Sequence, residues 1–214
     1  MEAISYRRRK RMNKVRILEQ PSRKRRDEFL AAVRRSRKLH GRWASPPATP
    51  EMFDAYLERL RKETHLGYWV RTDLGELAGV FNINEIVRGV FCSGYLGYYA
   101  FAPHHGQGYM KNGLCALLSE AFGHQRLHRL EANIQPANEA SRHLVQGVGF
   151  RLEGFSPRYL KIAGRWRDHE RWAITAEEWR NRARHAKDMR ETSLYARALR
   201  RSDDRGSLSD SVRR

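Results

Sequence analysis

The chain is poor in cysteine: Cys92 and Cys115 are the only two in 214 residues, and both lie inside apolar stretches. That argues against a disulfide framework and for a reducing compartment, the cytoplasm. No apolar run approaches the roughly 20 residues a membrane-spanning helix needs, so no membrane partner is expected. The start, Met1 to Lys14, carries charge without the apolar segment of a secretory signal. Metal-ligand spacing is also missing. His104, His105, His124, His128 and His169 form no clear set, and the two cysteines have no partner at ligand distance in sequence. No metal is therefore expected, and there is no internal repeat.

Positive charge is abundant, at a formal +18. Its distribution matters more than its size. Residues 1–26 carry 11 Lys/Arg against 2 acidic residues and residues 180–214 carry 11 against 5, leaving +3 for residues 27–179. The field belongs to the ends. Basic arms of this kind suit loose, salt-sensitive contact with a polyanion such as ribosomal RNA, or are plain solvated tails. The layout expected is a basic arm over 1–14, one domain over 15–185 and a basic, disordered tail over 186–214.

Between the ends the hydrophobic period changes twice. Val15 to Leu18 reads as an edge strand, and a helix carrying Phe29, Leu30, Val33 and Leu39 starts near Pro21 and Ser22. Thr49-Pro50-Glu51 opens a second helix with a capping hydroxyl, proline at the first helical position and an acid in the first turn. Three strands then follow, Tyr68 to Val70, Leu77 to Ile86 and Tyr95 to Phe101. A helix over Tyr109 to Phe122, a strand over His128 to Ile134 and a helix over Asn138 to Val148, closed by Gly149, complete the middle. A hairpin, Phe150 to Ile162 and Arg165 to Ile174, turns at Ala163-Gly164, and a last helix starts near Thr175. The class is mixed α/β, an α+β arrangement whose sheet is neither purely parallel nor purely antiparallel.

Chemistry concentrates in Tyr98-Tyr99-Ala100-Phe101-Ala102-Pro103-His104-His105-Gly106-Gln107-Gly108-Tyr109-Met110. An apolar strand ends at proline, two glycines make a tight loop, and a helix begins at once. Such a loop leaves backbone N–H groups unpaired at the positive end of a helix dipole. Glycine permits a phosphate to approach the main chain. The lysine and Ser/Thr of a nucleoside-triphosphate loop are missing, and the spacing differs from the dinucleotide fingerprint.

His105-Gly106-Gln107-Gly108-Tyr109-Met110 resembles the loop Gln/Arg-x-x-Gly-x-Gly/Ala of the GNAT superfamily of N-acetyltransferases, with His105 and Met110 departing from it at the two ends. Arg129 to Ser141, followed by Gly149-Phe150, resembles the branch that acetylates ribosomal-protein N-termini, as do Tyr159 to Ile162 and Gly164 to His169. The resemblance covers roughly residues 15–180. It implies the acyl-CoA N-acyltransferase fold, about seven strands with four to five helices, and acetyl-CoA as co-substrate. It further implies that the strand ending at Phe101 splays from the strand holding Glu131, with pantetheine in the gap. The diphosphate then sits on the amides of Gly106, Gln107, Gly108, Tyr109 and Met110, His105 counts among the cofactor-binding residues, and Asn138 lies near the pantetheine arm.

For catalysis, an amide at Phe101 or Ala102 is the expected oxyanion donor, and Glu131 the expected general base, directly or through water. The tyrosine that serves as general acid in the family falls at Val145, so Ser141 is its expected substitute, with a helix cap or a hydrogen bond to the cofactor as the alternative role and Tyr159 the weaker alternative. The acceptor expected is a protein N-terminus. A small amine, a polyamine or an aminoglycoside, is the rival within the class, and a ribosome- or RNA-binding protein without catalysis is the rival outside it.

Overall fold

The computed structural model describes residues 17–162 and 164–185, so the expectations for the arm, the start of the first strand, Ala163 and the tail lie outside the described residues. Seven strands form one sheet: β1 (Leu18–Glu19), β2 (Leu66–Arg71), β3 (Leu77–Val87), β4 (Ser93–Ala100), β5 (Arg129–Ile134), β6 (Arg151–Ile162) and β7 (Arg165–Thr175). Their order is β1-β2-β3-β4-β5-β7-β6. The first four run antiparallel, β4 and β5 run parallel, and β6 and β7 close as an antiparallel hairpin.

Helices α1 (Arg26–Arg35), α2 (Arg37–His40), α3 (Pro50–Arg59), α4 (Tyr109–Gly123) and α5 (Glu139–Val148) belong to the unit that ends at Ile174. The unit from Thr175 onward contains a sixth helix, residues 176–185. Thr175 and Glu178 cap that helix reciprocally: Glu178 Oε2 accepts from the Thr175 amide at 2.7 Å and Thr175 Oγ1 from the Glu178 amide at 3.4 Å. The other caps also follow the sequence. Thr49 Oγ1 accepts from Met52 N, Asn138 Oδ1 from Ser141 N, and Gly149 closes α5 at φ 110°.

The first helix breaks earlier than its apolar spacing suggests, at Ser36. The Ser36 hydroxyl donates to Ala32 O at 2.7 Å, and the chain then makes a single further turn as α2. The core between α1, α3 and the sheet centres on Phe29. Its ring lies 5.0 Å from Phe53, 5.6 Å from Trp69 and 5.8 Å from Phe101. Contacts of this kind contribute about 0.5–1.5 kcal/mol each beyond area burial. On the opposite face α4 lies close to β2 and β3, because Gly113 lets its backbone settle onto Val70 and Phe81.

His40 is buried, and its Nε2 donates to Ala100 O at 2.9 Å. Burial holds its imidazole below the ordinary value of 6.5, outweighing that hydrogen bond. The unfolded chain therefore binds the proton first, and the stability owed to this site is complete above about pH 6.5 and lost as pH falls below it. His65, also lowered by burial, adds to the same limb. His40→Gln is expected to flatten, without abolishing, the acid-side fall of the melting temperature. A slope equal to wild type would contradict this.

Candidate active site

The sheet opens where β4 and β5 part. Three pairs join them, Ser93↔Arg129, Gly94↔Leu130 and Tyr95↔Glu131, after which Leu96–Ala100 and Ala132–Ile134 continue without pairing to each other. An unpaired parallel edge of this kind presents main-chain donors and acceptors to whatever enters.

Which amides face the opening follows from ladder alternation. Phe101 N donates to Ala78 O at 2.8 Å, so Phe101, Tyr99 and Gly97 turn their amides toward β3. Tyr98 and Ala100 turn the other way, into the opening. This corrects the expectation for Phe101 and Ala102. The Phe101 amide is spent in the ladder, its side chain is fully buried, and its carbonyl accepts from His104 N. The Ala102 amide donates to Ser36 Oγ at 2.9 Å. Neither amide is left for a ligand. Sequence alternation alone did not reveal the phase; the single bond to Ala78 does.

Beyond β4 the glycine loop behaves as its composition requires. Gly106 and Gly108 adopt φ 75° and 85°, and a Cβ added at either would meet nothing within 4 Å. Gly108 occupies the N-cap of α4, and Asn112 N, bonding Gly108 O at 3.0 Å, begins the helical ladder. Among the described residues, no acceptor is recorded for the amides from His105 to Lys111. His105, Gly106, Gln107 and Gly108 are exposed.

The flanks of the loop are braced. Gln107 Nε2 donates to Pro103 O at 3.0 Å, Tyr109 OH donates to Asp73 Oδ1 at 2.9 Å, and His104 Nε2 lies 3.6 Å from Glu76 Oε2. Met110, where the resembled loop has a small residue, packs its thioether on Gly79, where any Cβ would collide with Sδ. Its bulk therefore goes onto the sheet. The loop is an open, braced anion cradle, and a diphosphate fits it.

Glu131 lies on the same side of the sheet as Tyr95. Arg129 Nε donates to Glu131 Oε1 at 2.8 Å, and the same guanidinium spans to Glu153 with Nη1 on Oε1 at 3.0 Å and Nη2 on Oε2. Arg151 pairs with Glu153 as well. The Arg129 guanidinium holds the Glu153 carboxyl below the usual range. Burial first, then Glu131 and Tyr159, push the Tyr95 phenol up. Two arginines thus balance the two carboxylates beside the opening.

Asn138 and Ser141 sit at the start of α5. The Asn138 side-chain oxygen is used by the Ser141 amide at 3.3 Å, a helix cap, and its side-chain nitrogen remains for other bonds. Ser141 Oγ lies 2.5 Å from Tyr98 OH. Val145, one turn further, is fully buried. Asn133 Oδ1 and Tyr99 OH are buried without a hydrogen-bond partner among the described residues. Sequence reasoning missed Ser36, His40, Arg129 and Asn133, and it gave Tyr98 no role of its own. The only hint was polar residues inside apolar stretches.

A family model for the acetyltransferase (GNAT) domain matches residues 16–151. The [Ribosomal protein uS5]-alanine N-acetyltransferase of Escherichia coli is 39% identical over 107 residues, 50% of this chain and 55% of that protein. Mycobacterium smegmatis RimJ, solved in complex with CoA-disulfide, is 29% identical with a TM-score of 0.68, covering 75% of this chain and 82% of that one. Spermidine N-acetyltransferase from Vibrio cholerae, solved with CoA and spermine, shares the fold at 20% identity and a TM-score of 0.65, covering 76% and 96% of the two chains. The chain spans 55–66% of the length of the first curated relatives it matches.

Proposed function

The chain belongs to the GNAT acetyltransferase family, and we propose that it transfers acetyl from acetyl-CoA to the α-amino group of a protein N-terminus. The observation that carries this is the pairing of an open β4–β5 edge with an exposed, braced glycine loop. The amides of Gly106 to Met110 hold the diphosphate, the Ala100 amide donates to the pantetheine arm, its carbonyl being taken by His40 Nε2, and the Asn138 side-chain nitrogen is a further donor to it. Acetyl-CoA supplies an activated acetyl group on a sulfur that leaves readily.

The chain's own groups do the rest. The Tyr98 amide, nearer the last β4–β5 pair than Ala100, stands where negative charge develops on the acetyl oxygen. Glu131 receives the proton released by the amine, directly or through one water. Ser141 offers its hydroxyl to the departing sulfur. The unpartnered Asn133 Oδ1 is an acceptor suited to an amine or peptide N–H.

Amine acidity favours an N-terminus over a lysine. An α-amino group titrates near 7.7–8.0 and a lysine near 10.4, so freeing the lysine at neutral pH costs about 3–4 kcal/mol more. Charge argues against a polyamine, because a polycation needs uncompensated carboxylates and Glu131 and Glu153 already face Arg129 and Arg151. The basic ends would suit an acceptor presented near RNA, as on a ribosomal protein.

The test is an acetylation panel read by mass spectrometry. It contains a peptide with a free N-terminal alanine or serine, the same peptide blocked at its N-terminus but carrying lysine, and spermidine. Acetyl on the free N-terminus alone is expected. Spermidine turned over at a comparable kcat/KM would overturn the acceptor assignment.

A further inference from the structure

Tyr98 does more than line the opening. It lies three residues past the last β4–β5 pair, so its main chain faces the gap while its side chain crosses to α5, the helix that follows β5. Its ring is fixed against Phe81, with centroids 5.5 Å apart and planes at 46°. Two oxygens compete for its phenolic hydrogen, Ser141 Oγ at 2.5 Å and Ser141 O at 3.3 Å. The nearer one lies at the short end of hydrogen-bond distances and the farther one beyond the ordinary O–H···O range.

A phenol that donates to Ser141 Oγ occupies one lone pair of the serine and leaves the serine's own hydrogen to point elsewhere. Among the described residues, Ser141 Oγ has no other partner. The hydroxyl also sits in the first turn of α5, where a helix N-terminus favours nearby negative charge.

Resting on the acetyl-CoA reading above, we propose that Tyr98 is a positioning residue that fixes the direction of the Ser141 hydroxyl hydrogen, turning it into the gap toward the leaving sulfur. Tyr98 and Ser141 together then take the place of the tyrosine absent at Val145. Burial drives the Tyr98 phenol well above its ordinary range, so Tyr98 keeps its proton and acts through a hydrogen bond, not by giving the proton away. Ser141 likewise stabilises the thiolate by donating a hydrogen bond, and no covalent step involves either residue.

The test titrates the thiol of bound CoA by thiolate absorbance in the wild type, Tyr98→Phe, Ser141→Ala and the double variant. Phenylalanine keeps the ring packing and removes only the hydroxyl. The bound thiol is expected to be about tenfold more acidic in the wild type than in Tyr98→Phe. Ser141→Ala should match Tyr98→Phe, and the double variant should go no further. CoA affinity should stay within about threefold throughout, and kcat should fall about tenfold in Tyr98→Phe with KM for acetyl-CoA unchanged.

A bond that merely ties β4 to α5 would lower affinity and melting temperature and leave the thiol's acidity alone. Equal titration in the wild type and Tyr98→Phe, or effects that multiply in the double variant, would overturn the proposal. Wild-type protein that fails to bind CoA would overturn the acetyl-CoA reading itself, and that result is visible before any variant is made.

Discussion

Gly108→Glu is expected to lose acetyl-CoA affinity by at least 100-fold, about 2.7 kcal/mol, while remaining folded. The position is at φ 85°, so any side chain costs roughly 1–2 kcal/mol in backbone strain. Space is not the obstacle, since a Cβ there meets nothing within 4 Å. The glutamate carboxylate would occupy the cradle at the helix N-terminus and repel the diphosphate that the same amides attract. Strain and occlusion separate through Gly108→Ala, which carries the strain without the charge. Alanine is expected to lower the melting temperature by a few degrees and affinity by less than tenfold. If glutamate and alanine weaken binding equally, charge in the cradle is not what matters. Wild-type affinity in Gly108→Glu would remove the loop from cofactor binding altogether.

Glu131→Gln is expected to reduce turnover on the order of 100-fold at neutral pH, with acetyl-CoA affinity within about twofold of wild type. Glutamine is the informative replacement because its side-chain oxygen can still accept from Arg129 Nε, as Glu131 Oε1 does at 2.8 Å. The ion pair orients the carboxylate. A weak base suffices for an α-amino acceptor, part of which is already neutral near pH 7. Turnover of the wild type should therefore rise through about pH 7.7–8.0 and level off. A rise that continues toward pH 10 would point to lysine. Unchanged turnover in Glu131→Gln would leave the proton to water.

Much of the fold was readable locally. Thr49, Asn138 and Thr175 cap the helices they precede, Gly149 ends α5, and the strand read at Tyr68 to Val70 lies within β2. The glycine loop was legible for the same reason, because the left-handed backbone at Gly106 and Gly108 leaves its trace in residue type. What was hidden depends on contacts far apart in sequence. Arg129 on β5 meets Glu153 on β6 although β7 stands between the two strands, an order no local pattern specifies. His40 reaches Ala100 across 60 positions, Ser36 reaches Ala102 across 66, and Tyr98 reaches Ser141 across 43. Which β4 amides face the opening was misjudged at Phe101 because strand alternation has two phases, and only the pairing with β3 selects between them.

The binding of acetyl-CoA to the unmodified full chain, followed by titration calorimetry, tests the central claim most directly. Saturable binding of one molecule per chain at micromolar concentrations is the predicted result, weakened by added CoA as a competitor. No heat of binding up to about millimolar acetyl-CoA, with the protein folded, would contradict it, since a cradle and open edge of this kind should give more than the roughly 4 kcal/mol that a millimolar affinity represents.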